Sequence, residues 1–279
     1  MKHIEGNFEG VRGASIYYQG WLPEGDTKAV LLVVHGMGEH SGRYVNLVER
    51  FVPLGYALYG LDHIGHGKSD GAREMVQRFD DFTDTLSTFY KLVSEWQAGK
   101  PIFLLGHSMG GAIVSYYLLD HQEDFKGAII SAPAVRVGEG ISQMTITMSK
   151  VLSKIAPKMG VLALDANAIS RDPKVVEAYV NDPLVFHGKT PARLGAELLS
   201  AMMRITAEAS KISLPVIIVQ GAEDVLVEPA GAQMLYDKVS SADKTLKIYD
   251  QMYHEVFNEP DRERVLSDVE AWLERQLSR

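Results

Sequence analysis

Ser108 stands in the stretch Gly106-His107-Ser108-Met109-Gly110-Gly111, with an apolar run on either side. Ile102-Phe103-Leu104-Leu105 before it reads as a short strand buried on both faces. After it, Ala112-Ile113-Val114 and Tyr116 to Leu119 read as a helix of about three turns, interrupted only by Ser115. A strand that reverses at once into a helix forces its corner residue into a strained backbone, where neighbouring Cβ atoms would collide. Glycine two positions before and two after the corner relieves that collision and leaves the serine oxygen exposed above the sheet. The helix opening there has free N–H groups and a dipole that favour a developing negative charge. The chemistry that suits this arrangement is attack by a serine hydroxyl on an acyl carbonyl. The competing reading is a serine that caps the helix of an ordinary strand-to-helix loop.

A serine hydroxyl is a poor nucleophile until a base takes its proton, and the base must be oriented by a third group. In a parallel sheet those partners belong just past the C-terminal ends of later strands. Asp224 lies past Pro215-Val216-Ile217-Ile218-Val219-Gln220-Gly221, with Glu223 as its immediate competitor. His254 follows the last strand and is the only one of the nine histidines that comes after the acid in chain order. His107 reads as a packing residue beside the serine, while His63 and His66 belong to a glycine-rich turn. Ser, Asp, His is the chain order of an α/β-hydrolase triad.

An oxyanion needs two donors. One is the backbone N–H of Met109, directly after the serine. The other is the N–H of Met37, in the loop His35-Gly36-Met37-Gly38 that follows another buried strand. The plainer reading of that loop is a glycine-rich turn.

The elements that must hold these residues alternate. The first 27 residues read as a hairpin of antiparallel strands, 29–36 as a buried strand, and 44–55 as an amphipathic helix. A strand and its loop fill 56–67 and a long helix fills 78–98, with Phe79, Phe82, Leu86, Phe89, Leu92, Val93 and Trp96 at helical spacing. Further strands are expected at 101–106, 126–133, 214–224 and 245–251, with helices near 229–239 and over 260–277. This predicts an α/β fold, a mostly parallel central sheet with helices on both faces. Residues 135–211 break the alternation and read as an inserted helical cap, leaving 1–134 and 212–279 as the core. The insertion carries 10 Lys and Arg against 7 Asp and Glu, about +3, while the remainder is about -11.

The bulk composition is compatible with this. Of 279 residues 46% are apolar, no run approaches a membrane span, and the N-terminal stretch lacks the apolar core of a secretory signal, so a cytoplasmic protein is expected. With no cysteine there is no thiol nucleophile, disulfide or thiolate metal site, and nothing calls for a metal or cofactor. A net charge of -8 argues against a nucleic-acid partner.

The motifs HGMGEHSGRY, DHIGHGKSDG, GHSMGG, SRDPKVVEAYVNDPLV, GAEDVLV and YHEVFNE together resemble the monoacylglycerol lipase and lysophospholipase family of α/β-hydrolases. The similarity covers nearly the whole chain and is weakest across 135–165. It implies Ser108 as nucleophile, Asp224 and His254 as acid and base, the amides of Met37 and Met109 as the oxyanion hole, and a helical cap that guides one acyl chain in. The expected substrate is a monoacylglycerol, a small lipid ester; a lysophospholipase, a general carboxylesterase and a proline iminopeptidase share the machinery. A catalytically dead binding protein of this fold is the reading from another class, and an intact triad speaks against it.

Within the cap, Ile141, Met144, Met148, Val151, Leu152 and Ile155 fall on one helical face, flanked by Lys150 and Lys154, with Pro157 ending the helix. Either the stripe packs on the core, or Met144, Met148 and Ile155 line the acyl path or meet a membrane surface.

Overall fold

The computed structural model describes residues 1–138 and 142–279. The chain opens with β1 (Lys2–Glu9) and β2 (Ser15–Leu22), paired antiparallel as a hairpin. β3 (Ala29–Val34), β4 (Tyr56–Leu61), β5 (Ile102–His107) and β6 (Gly127–Ser131) follow. Two short strands, β7 (Gly160–Leu162) and β8 (Thr190–Pro191), pair only with each other, and β9 (Val216–Gly221) and β10 (Lys244–Tyr249) complete the set. Eight of these form one sheet in the order β1-β2-β4-β3-β5-β6-β9-β10. The sheet is parallel from β4 to β10 and antiparallel at the β1–β2–β4 end.

The continuous apolar runs follow from burial on both faces. Val30, Leu32 and Val34 of β3 point into one core with α2 (Asp80–Trp96), α3 (Met109–Leu118) and α7 (Pro229–Lys238). Ala29, Leu31 and Val33 point the other way, onto α1 (Val45–Phe51) and α8 (Arg262–Leu277). The side-chain period of two serves both faces, so no position in the strand is free to be polar. The expected α/β layering is what the chain forms, with boundaries shifted by up to four residues, the largest at the end of α1.

Between β6 and β9 lie α4 (Gln143–Ile155), α5 (Pro173–Asn181) and α6 (Ala192–Glu208), with the β7–β8 ribbon among them. The ribbon was not foreseen: β7 is exposed at all three residues and Pro191 sits in its partner, so neither carries an apolar pattern. α6 packs against α3 and α7, and α4 packs against α6. Ser142 caps α4, its hydroxyl accepting from the Thr145 N–H at 3.1 Å. Ile141, the first residue of the expected stripe, lies outside the described residues.

Of the remaining stripe Leu152 is half-buried and the other four are exposed. Met144, Met148, Val151 and Ile155 are 73, 65, 54 and 76% exposed, whereas Ile146 and Ser153 are buried. The reason is packing distance: a face built on Ile146, Ser149 and Ser153 lets α4 lie close on the alanine-rich α6. The wide apolar side chains are left outside.

One close approach fixes α3 against the sheet. A Cβ on Gly110 would stand 2.0 Å from the Val34 carbonyl oxygen, and one on Gly106 would stand 2.4 Å from that of Gly110. Both obstacles are backbone and cannot yield as a side chain would. Gly110→Ala is therefore expected to cost about 3 kcal/mol or more of unfolding free energy. Gly25→Ala, where nothing lies within 4 Å, should stay within about 0.5 kcal/mol. Denaturant melts of the two variants check the contrast.

Candidate active site

Ser108 sits at the tip of β5 with φ 55° and ψ -119°, in the left-handed half of backbone space where a non-glycine residue is strained by about 1–3 kcal/mol. Three backbone hydrogen bonds hold it there. Its N–H donates to the Ser131 carbonyl at 2.9 Å, and its own carbonyl accepts from Ala112 and Ala134, both at 3.1 Å. Met109 is the first residue of α3, so its N–H has no carbonyl of the helix to bond.

Asp224 follows β9 and His254 follows β10, and the two meet: His254 Nδ1 donates to Asp224 Oδ2 at 2.7 Å. Both are buried, at 4% and 6% exposure. The other carboxylate oxygen accepts from the N–H groups of Leu226 and Val227, each at 2.9 Å. Gln220, fully buried on β9, donates to Oδ2 at 2.9 Å. Burial works to raise the Asp224 carboxyl, but the bonds from His254, Val227 and Gln220 outweigh it and hold it below the usual carboxylate range. With both lone-pair directions taken, the acid is oriented as well as ionised. Glu223, its sequence neighbour, makes none of these contacts.

The loop after β3 presses on the serine. A Cβ on Gly36 would stand 2.9 Å from Glu39 Oε1 and 3.2 Å from the Ser108 Cβ, so a larger residue there would push on both. Glu39 pins the loop from below: Oε1 accepts from the Gly36 N–H at 2.7 Å and from the Tyr44 hydroxyl at 2.8 Å. Arg43 donates to Glu39 at 3.1 Å and, through two nitrogens, to Glu255 at 2.6 and 2.8 Å. Burial disfavours the charges on Arg43 and Glu255, yet each partner outweighs that loss and keeps the other ionised.

Ser108, His254, Met37 and Met109 border one cavity of about 280 Å³. Its lining combines the charged Glu39, Arg43, Arg136, Glu228 and Glu255 with apolar residues such as Leu162, Leu164, Leu198 and Met202. Met144, Met148 and Ile155 are not among its lining residues. Apolar lining comes from the β7 region and α6. Sequence reasoning also passed over Gln220 and the Glu39–Arg43–Glu255 network. Glu255 directly follows His254, and Glu39 and Arg43 stand in the same short motif as Met37, so proximity to the assigned residues was the available signal.

The remaining histidines near the site are structural in their contacts. The His107 ring lies 4.7 Å from that of His254 and its Nδ1 is 3.1 Å from the Ser131 hydroxyl. Burial, with the nearby His254 charge, pushes it down to about 4. His35, His63 and His66 cluster under the loop, and burial likewise lowers His35 to about 4 and His66 to about 3. Among the described residues no group of His, Asp and Glu is arranged to hold a metal ion.

The family model described as Serine aminopeptidase, S33 (Hydrolase_4) matches residues 25–261. The chain is 40% identical over 273 residues to the monoacylglycerol lipase of Mycolicibacterium smegmatis, covering 98% of each chain. It is 33% identical over 269 residues to the monoglyceride lipase of Homo sapiens, covering 95% of this chain and 89% of that one. The crystal structure of the Paleococcus ferrophilus monoacylglycerol lipase superposes with a TM-score of 0.81 at 29% identity, over 100% of this chain and 99% of the other. With its parallel sheet, its strained serine and a match over most of its length, the chain belongs to the Hydrolase_4 family of α/β-hydrolases, the serine hydrolases that include these monoacylglycerol lipases.

Proposed function

We propose that this protein hydrolyses monoacylglycerols to fatty acid and glycerol, with Ser108 as nucleophile, His254 as general base and acid, and Asp224 as the carboxylate that orients it. Ser108 Oγ attacks the ester carbonyl while His254 Nε2 takes its proton. The carbonyl oxygen, now negative, is received by the N–H groups of Met37 and Met109. His254 then gives the proton to the departing glycerol oxygen, leaving an acyl-serine. Water enters by the same route: His254 removes its proton, the oxyanion forms again, and Ser108 leaves with the proton returned. Asp224 stays ionised throughout and fixes the imidazole tautomer that faces the serine.

The observation that carries the substrate assignment is the mixed lining of the cavity beside Ser108, apolar side chains together with Glu39, Arg43, Arg136, Glu228 and Glu255. The apolar lining suits one acyl chain, and the polar groups suit a polyol that donates and accepts hydrogen bonds. A peptide amine would find Glu39 and Glu255 already bonded to Arg43, which disfavours a peptidase.

We read residues 135–211 as the cap over the core segments 1–134 and 212–279. Its outer apolar face, Met144, Met148, Val151 and Ile155, runs with exposed Met159, Val161 and Leu162, and Leu162 also borders the cavity. Such a continuous path suits a poorly soluble substrate taken from a lipid surface, with Lys150 and Lys154 facing anionic head groups. No helix among the described residues is long and apolar enough to cross a membrane, so the contact would be peripheral.

Ser108→Ala should lower kcat on the scale of 10⁶, and Asp224→Asn on the scale of 10⁴ through the wrong imidazole tautomer. Retention of a tenth of the activity by either would remove the assignment. In a panel of esters, 1-monoacylglycerols should exceed lysophospholipids of equal chain length by more than about tenfold in kcat/KM, a difference of about 1.4 kcal/mol at the transition state; parity would return the choice to a lysophospholipase. Replacing Met144, Met148 and Ile155 together by Ser should leave the melting free energy within about 1 kcal/mol, because these side chains are exposed. Sedimentation with anionic vesicles and turnover of long-chain substrate should both drop, while short soluble esters are still cleaved.

A further inference from the structure

Glu74 has no part in the chemistry described so far, yet it is placed beside it. It lies in the loop between β4 and α2, is 2% exposed, and has φ 53°, a backbone region that favours glycine. Its Oε1 would stand 3.3 Å from a Cβ on Gly38, the residue after Met37. The Thr190 hydroxyl is hydrogen-bonded to the same carboxyl, and Oε2 is buried with no hydrogen-bond partner. Thr190 is itself 3% exposed, and its hydroxyl lies 3.4 Å from Met37 Sδ. Carboxyl, hydroxyl and sulfur thus form a line from the β4–α2 loop, through β8, to the loop that presses on Ser108.

The surroundings decide the protonation state. A carboxylate with an unpartnered buried oxygen has lost its solvation without compensation. Burial pushes Glu74 up to about 7, opposed only by the Thr190 hydrogen bond. From its own loop, His66 is held neutral by burial, and exposed Arg73 donates to the Gly67 carbonyl. Beyond Gly38, Arg43 is bonded to Glu39 and Glu255. From α5, the Tyr179 hydroxyl borders Gly38 and burial raises its phenol to well above neutrality, outside the range of interest. None of these supplies the carboxyl with a cation.

We propose that Glu74 is a positioning residue whose protonated carboxyl, acting through Thr190, holds the Gly36–Gly38 loop ready for the oxyanion, and whose ionisation disables that loop. As an acid it donates its O–H to Thr190 Oγ1, which leaves the threonine hydrogen for Met37 Sδ. As an anion it must draw that hydrogen to itself and release Met37. It also sets a negative charge against the loop on which the oxyanion's own charge develops, in surroundings of low dielectric. The inference rests on the reading of the Met37 amide as an oxyanion donor.

The test is the pH dependence of kcat/KM for a short soluble p-nitrophenyl ester in wild type, Glu74→Gln and Glu74→Gly. Glutamine keeps the shape and hydrogen bonding of the neutral acid without its ionisation; glycine suits the positive φ and guards against a folding defect. Wild type should lose activity above neutrality, approaching about tenfold per pH unit, with the loss in kcat rather than KM. Both variants should hold their own pH 6.5 value to within about twofold up to pH 8.5. Thermal melts supply a second readout. An acid whose folded value is raised binds a proton on folding, so wild-type stability falls as pH rises from the unfolded carboxyl range towards neutrality. The Tm advantage of Glu74→Gln should therefore be larger at pH 8.5 than at pH 5. An alkaline limb that persists unchanged in both variants, or a wild-type profile flat to pH 9, would overturn the proposal. Neither result resembles failure of the hydrolytic reading itself, which would appear as an active Ser108→Ala enzyme.

Discussion

The contact between the backbone of Gly110 and the carbonyl of Val34 is the constraint on which the site depends. It lets α3 start directly at the end of β5, which in turn forces Ser108 into a conformation that an isolated chain would not keep. The strain is held by neighbours on both sides, β3 with its Gly36 loop and β6 with Ser131. β5 is the centre of the sheet, so its C-terminal end is where both flanking loops converge. Ser108 stands where it does because the sheet has a middle.

That constraint explains why so much was legible in the sequence. Short apolar runs buried on both faces leave little ambiguity about strands, and glycines at 106 and 110 mark an approach that other residues would block. Asp224 and His254, singled out by chain order and by their positions just after strands, are hydrogen-bonded to each other. What escaped was encoded in no periodicity. The β7–β8 ribbon is too short and too exposed to leave a pattern. The Glu39–Arg43–Glu255 network joins residues more than 200 positions apart, through hydrogen bonds that composition does not reveal. Glu74 hides in a loop where an acidic residue would ordinarily be solvated.

The misplaced stripe on α4 is the most instructive difference. Spacings of three and four identified a helix with one apolar face, and that much is right. Of the two readings left open, packing on the core is the one set aside for Met144, Met148, Val151 and Ile155, because the helix packs through serines and Ile146 onto small residues of α6. Close approach of two helices rewards small side chains, so hydrophobicity and burial part company there. The lining of the cavity shows the complementary pattern, with the charged Glu39 and Glu255 among its buried groups. In both places the sequence rule describes the average and the site is an exception to it.

The chain order of the site bears on how the protein is made. Strand β5 and its elbow are synthesised within the first 110 residues, whereas His254 follows more than 140 residues later. At ~5–20 residues per second the interval is on the order of ten seconds. During it the nascent chain carries Ser108 without His254, and β9 and β10 have yet to join the sheet edge left open at β6. Until those strands are in place the hydrogen bond between Asp224 and His254 cannot form beside the serine.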